Sequence, residues 1–201
     1  MLIKNESQFT EQRFDAVVPG NTVLERCKFT KCSFSGADLR EIKTTGCVFS
    51  DCDFTQARLN ASEHRSSSFT NCRFINSNLF SSRFDNCKMT GSIFKGTDLS
   101  GVFILEGDWS YVSMRFLNLK KFDLRRVVFK EADLSGCNLD GADLREADLT
   151  KAILSQSKLA GADIRGAKID GVDFRGLDLY GVKLDIIQAA FVVRSFGASI
   201  G

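Results

Sequence analysis

Apolar residues recur along this chain at every fifth position. From Phe9 to Leu184 that position, called i below, falls on 36 residues and is apolar in 33 of them, mostly Phe or Leu. The exceptions are Pro19, Thr44 and His64. The phase never slips, so no loop of odd length interrupts the array. Position i−2 is small in 31 of the 36 units, and twelve of the sixteen glycines fall at i+2. Aspartates such as Asp38, Asp98, Asp133 and Asp163 occupy i−1. The run Ala132-Asp133-Leu134-Ser135-Gly136 displays the unit.

A period of five suits neither regular element. Five residues of α-helix rotate an apolar stripe by about 140°, so it winds around the axis and buries nothing. In a continuous strand an odd spacing alternates faces. The chain must therefore turn a corner in every unit. Positions i−2 and i share one side of a short extended stretch and point inward, while i−1 points to water. Positions i+1 and i+2 make the turn, where Gly accepts positive φ. The pattern predicts an all-β, parallel β-helix over residues 1–184, its coils stacked through backbone hydrogen bonds.

The period also absorbs the residues that suggest chemistry. Cys27, Cys32, Cys47 and Cys52 resemble paired metal ligands, but all seven cysteines, with Cys72, Cys87 and Cys137, sit at i−2. There a free Cys serves as a small hydrophobe, and an odd count fits a reducing compartment. Cys32 and Cys52 are close enough in the pattern to bridge if oxidised; thiols are expected. His64, the only histidine, and Trp109 both occupy core position i. Asp133, Asp143 and Asp148 lie at solvated i−1 positions rather than as a catalytic pair. No Walker loop, dinucleotide fingerprint or zinc motif is present. No catalytic residue, cofactor or metal is expected, and a filled core offers an enzyme no pocket.

Composition adds limits. Net charge is +2, which implies no polyanionic partner, and no apolar run approaches a membrane span. The N-terminus carries no signal-peptide pattern, so the cytoplasm is the expected location.

The array is irregular in three places. All the core exceptions lie at or before His64, and there Pro19-Gly20 and Thr44 predict a looser N-terminal tower. Across 102–130, Leu117 and Phe122 replace small side chains at i−2, and Phe103 and Phe116 fall at outward positions. A local kink with repacking is expected there; a partner contact is the alternative. After Leu184 the period ends, and Asp185 and Gly197 bracket a short helix. Residues 185–201 are expected to cap the rod and to pair two copies through Tyr180, Ile187, Ala190, Phe191 and Phe196; a plain cap is the alternative.

The unit small-Asp-Leu/Phe-polar-Gly, sustained over residues 7–186, resembles the pentapeptide-repeat family. The resemblance implies a right-handed coil with four units per turn and a square cross-section. The spacing of 20 between Cys32, Cys52 and Cys72 agrees with it. Thirty-six units would then make about nine coils, roughly 43 Å of rod. The tail Leu179-Tyr180-Gly181-Val182-Lys183-Leu184-Asp185-Ile186-Ile187-Gln188-Ala189-Ala190-Phe191 is similar to the ends of the Qnr- and MfpA-type quinolone-resistance members. That resemblance implies a head-to-head dimer that binds DNA gyrase and topoisomerase IV and protects them from quinolones by mimicking duplex DNA. The unbroken phase implies that the surface loops of some members are absent here.

Charge departs from the simplest mimicry. Sorted onto four faces, the units sum to between 0 and +1 per face, so no face is acidic along its length. Charge is banded instead: residues 115–130 carry a net +5 and residues 131–148 a net −5. The acidic band, with Asp133, Asp140, Asp143, Glu146 and Asp148, is the candidate surface for the basic saddle of a topoisomerase. Mutual neutralisation of the adjacent bands is the competing expectation. Direct nucleic-acid binding by the basic band is disfavoured, because its charges are few. The remaining alternative for the whole chain is a scaffolding rod with another protein partner.

Overall fold

A computed structural model describes residues 3–14 and 21–199. Among the described residues nine short strands run in order: β1 (Gln8–Thr10), β2 (Val23–Glu25), β3 (Lys28–Thr30), β4 (Lys43–Thr45), β5 (Val48–Ser50), β6 (Glu63–Arg65), β7 (Ser68–Thr70), β8 (Arg83–Lys88) and β9 (Phe103–Asp108). One helix follows, α1 (Ile186–Ser195). Every strand pair is parallel and offset by four repeat units, as in Phe9↔Phe29↔Phe49↔Phe69. Each coil therefore has four sides. Two stacks, β1-β3-β5-β7 and β2-β4-β6, both lead into β8, which spans the corner between them and carries β9.

The solenoid is built of strands for about five turns, not for the nine coils that the count of units implies. Further along, single bridges replace strands at the same offset, for example Ser113↔Asp133↔Ile153 and Asp143↔Asp163↔Lys183. Composition explains the change. One stack of strands carries Phe at its centres (Phe9, Phe29, Phe49, Phe69) and Thr at its ends (Thr10, Thr30, Thr70), which suit extended backbone. The later units close as four-residue turns, in which the carbonyl of i accepts the amide of i+3. Leu134 O takes Cys137 N at 3.1 Å and Leu144 O takes Ala147 N at 3.1 Å.

Position i+2 turns each corner with positive φ, whether or not it is Gly. Arg26, Lys31 and Glu131 adopt φ of 51°, 52° and 55°, and Gly136 67°. The left-handed conformation costs an L-residue about 1–2 kcal/mol. Stacking holds it: the i+2 amide donates to the next coil, as Lys31 N does to Ser50 O at 2.8 Å.

Inside, Phe14, Phe34, Phe54, Phe74 and Phe94 form one column of stacked rings, with centroids 4.8 to 4.9 Å apart. Phe9, Phe29, Phe49 and Phe69 form a second. Leu134, Leu144 and Leu154, with small Ala132, Ala142 and Ala152, fill the later coils. All seven cysteines are free and buried. They are more than filler. Cys52 Sγ donates to Phe29 O (3.4 Å) and Cys72 Sγ to Phe49 O (3.4 Å), so each thiol meets the carbonyl of position i one coil below. Burial pushes the Cys47, Cys87 and Cys137 thiols up to about 11, away from the thiolate that a nucleophile or metal ligand requires.

The expected looseness near Thr44 and His64 is not found. Both are buried at 1% exposure. His64 Nδ1 meets Thr44 Oγ1 at 2.8 Å, and Nε2 meets Ser62 Oγ at 2.9 Å. Thr44 in turn contacts Ser67 Oγ (3.0 Å), Ser67 donates to Arg65 O, Ser62 donates to Ser82, and Ser82 donates to Leu59 O. Polar side chains are tolerated in this column because they satisfy one another. Pro19 and Gly20 lie outside the described residues. Trp109 is buried at core position i, as its phase requires.

Candidate functional site

Three surface features could serve a partner: the carboxylates of the later coils, the C-terminal end, and a break in the stacking between them.

Asp at i−1 and Arg at i+1 point outward on the same side of an extended stretch, so the sequence Asp-Leu-Arg folds into a local ion pair. Arg145 grips Asp143 through Nε at 2.8 Å and Nη2 at 2.6 Å. Arg125 and Arg165 hold Asp123 and Asp163 in the same way. Successive coils add cross-links, Arg125 to Asp143 at 3.7 Å and Arg145 to Asp163 at 4.0 Å. These guanidiniums hold the Asp123, Asp143 and Asp163 carboxyls below the usual carboxylate range.

The five carboxylates singled out in the sequence are not gathered into one patch. The register places them around one coil. Asp133 falls in the bridge column of Ser113, Asp143 in that of Asp123 and Asp148 in that of Val128. Arg115 pairs with Asp133 at 3.3 Å and Lys168 with Asp148 at 3.3 Å, and Asp143 belongs to the Arg ladder. Mutual pairing thus neutralises three of the five. Among the described residues, Asp140 and Glu146 have no ion pair.

At the far end, Asp185 caps α1. It accepts from Gln188 N, while the Gln188 side chain accepts from Asp185 N, a reciprocal capping box. Sequence reading found the cap but missed the second role of Gln188. Its side chain is buried, and Nε2 donates to Ile164 O at 2.6 Å and Ala167 O at 2.8 Å, closing the solenoid edge. Tyr180 (81% exposed), Ile187 (82%) and Phe196 lie open to solvent. Ala190 and Phe191 are half-buried, and Phe191 packs on the core. Ile186 and Val193, which the sequence did not mark, join the exposed apolar end. No helix among the described residues is long and apolar enough to cross a membrane.

The irregular stretch 102–130 is an opened ladder. On two faces the coil at 91–110 bonds normally to the next: Phe94 N to Ser113 O (2.8 Å) and Trp109 N to Val128 O (2.7 Å). On the other two faces the equivalent bonds, Leu99 N to Asn118 O and Ile104 N to Asp123 O, do not form. One coil later they return as Leu119 N to Asn138 O and Leu124 N to Asp143 O, both 2.8 Å. Leu117 and Phe122, the outsized side chains at i−2, sit on the two faces that part. Bulk at a position meant for Ala or Ser props the coils open. Two adjoining notches result, of about 310 Å³ and 360 Å³, lined in part by Leu105, Glu106, Lys120, Lys121, Phe122 and Arg126.

Comparison with known families follows this division. A family model described as a pentapeptide repeat region matches residues 22–104. A second, for pentapeptide repeats in eight copies, matches residues 110–145, 137–176 and 147–185. The chain belongs to the pentapeptide-repeat family. A search of curated proteins gave no match. Among solved structures, a trypsin-treated variant of QnrB1, described as a plasmid-mediated fluoroquinolone resistance protein, superposes with a TM-score of 0.87 at 25% identity. That match covers 98% of this chain and 99% of the other. Full-length QnrB1 gives 0.81 at 24% identity, over 97% and 100% of the two chains. HetL from Nostoc sp. strain PCC 7120, a pentapeptide-repeat protein involved in heterocyst differentiation regulation, gives 0.57 at 22%, over 88% and 90%. The last two matches speak for the fold alone.

Proposed function

We propose that this pentapeptide-repeat protein binds a type II topoisomerase, DNA gyrase or topoisomerase IV, and shields it from quinolones. The observation that carries the reading is the end-to-end match to QnrB1, which leaves neither chain with an unmatched domain. The protein acts in this reading by surface contact rather than by catalysis, in the cytoplasm where its target resides. Buried free thiols accord with that compartment.

Two copies join through the C-terminal end. The apolar residues Tyr180, Ile186, Ile187, Val193 and Phe196 are too exposed for a finished surface, and a twofold partner covers them. The junction places the 131–148 coil of each copy on either side of the centre. Asp140, which accepts from Ala160 N, and Glu146 offer the partner carboxylates without an ion pair, while Asp133, Asp143 and Asp148 bring charge already matched by Arg or Lys. Recognition thus rests on a few acids without ion pairs, not on an acidic face that copies the phosphate backbone.

The test is quinolone-inhibited gyrase supercoiling, with and without the protein. Rescue is expected, and the double reversal Asp140→Lys with Glu146→Lys should weaken it about tenfold. Absence of rescue by the unaltered protein, with gyrase from a matching host, sinks the proposal.

A further inference from the structure

The opened ladder leaves backbone groups exposed on both of its lips. On the lower lip Val102 O, Ile104 N and Glu106 N face the gap, and on the upper lip Asp123 N faces back; none is bonded across it. Ile104 N lies on the extended part of β9 with Val102 O just before it, and Glu106 N follows at the corner, where φ is 56°. Such an edge is a template for another strand.

The walls say what that strand carries. Ile104 is buried at the base, Phe122 is half-buried beside it, and Phe103 stands 57% exposed on the rim, which suits an apolar side chain. The local cations are not equal. Arg126 is taken by Glu106 at 3.0 Å, and Arg125 by Asp123 and Asp143. Lys120 and Lys121 are exposed and have no ion pair among the described residues. The unspent charge at the slot is positive.

We propose that this slot docks an extended acidic segment of a partner protein. The segment pairs with the edge at Val102 O and Ile104 N, lays apolar side chains against Phe103 and Phe122, and sets carboxylates on Lys120 and Lys121. Two lysines are a small footprint for nucleic acid, whose affinity grows with the number of phosphates neutralised. Free amides and carbonyls at strand spacing select a peptide. The proposal stands apart from the topoisomerase reading, since it concerns another surface of opposite charge and needs no gyrase.

The experiment uses the full chain and an array of octapeptides in which Val or Phe alternates with Glu, Lys or Ser. Binding is expected only where Glu alternates, with protection of the Ile104 amide from hydrogen exchange. Lys120→Glu with Lys121→Glu, both at exposed positions, should leave Tm unchanged and weaken binding about tenfold. N-methylation of alternate peptide amides, which blocks strand pairing, should abolish it. The proposal fails if no Glu peptide binds, if the N-methylated peptide binds equally well, or if the lysine variant loses affinity for single-stranded dT oligomers instead.

Discussion

The coils below the opened ladder and those above it solve one packing problem with two backbones. Below, two of the four faces are strands, and Phe rings stack through the core. Above, all the described faces are turns around Leu and Ala. The difference is written at i−2. On turn faces the carbonyl of i already holds the amide of i+3, so Ala132, Ala142 and Ala147 suffice. On strand faces no such turn bond forms among the described residues, and the carbonyl takes a thiol or hydroxyl from the coil above. Cys47 reaches Leu24 O (3.3 Å), Cys87 reaches His64 O (3.3 Å) and Ser92 reaches Phe69 O (2.6 Å). At i−2 an inert Ala suffices in one half, where the Cys137 and Ser157 bonds are additions, and a donor is the carbonyl's partner in the other.

Three measurements bear on this contrast. The largest effect belongs to the aromatic column. Phe54 lies 4.9 Å from both Phe34 and Phe74 within 4° of parallel, and Phe54→Ala should lower the unfolding free energy by about 3–5 kcal/mol. A much smaller loss in a urea titration would mean that the column is not structural support for the strand half.

Next comes a matched pair of serines. Ser92 Oγ donates to Phe69 O and accepts from Cys72 N at 2.8 Å, so Ser92→Ala strands a buried amide and should cost about 1–3 kcal/mol. Ser157 in the turn half donates to Leu134 O, which keeps the Cys137 amide when the hydroxyl is removed. Ser157→Ala should cost under about 1 kcal/mol. Equal losses would erase the proposed distinction between the halves.

The third effect is a slope. Burial pushes His64 from its ordinary 6.5 down to about 3, so the unfolded chain holds the proton more tightly. Stability is therefore complete above about pH 6.5 and falls as pH drops toward about 3, by up to about 1.4 kcal/mol per unit. His64→Gln should flatten this dependence, read as the shift of the urea midpoint between about pH 7 and about pH 5. An unchanged slope would show that His64 is not its origin, since the ion-paired aspartates, with their depressed values, act only at lower pH.

Much of this was legible in the sequence. The five-residue period alone required coils with inward Phe and Leu, and Asp185 and Gly197 bracketed the helix. What escaped depends on neighbours one coil away. Nothing within one unit distinguishes a strand face from a turn face, so the ladder of strands ended sooner than the period suggested. Leu117 and Phe122 marked the break as a disturbance, but parting of the coils emerges only when each is set against the unit above and below. The acidic band looked like one surface because it is contiguous in sequence. The four-sided coil distributes it, and Arg115, Arg145 and Lys168 neutralise Asp133, Asp143 and Asp148.

The buried chain around His64 also admits a count of hydrogens. From Arg65 O through Ser67, Thr44, the imidazole, Ser62 and Ser82 to Leu59 O there are six links. Four hydroxyls and a neutral ring supply five protons for them. With the proton on Nε2, the arm to Leu59 O is complete and the arm to Arg65 O lacks one; with it on Nδ1, the deficit changes sides. Either tautomer satisfies the same number of links, so the ring has no fixed handedness of its own. The interior of the rod carries one missing hydrogen that can sit on either side of His64, and the ring nitrogen that is protonated decides which of two coils is bound more tightly.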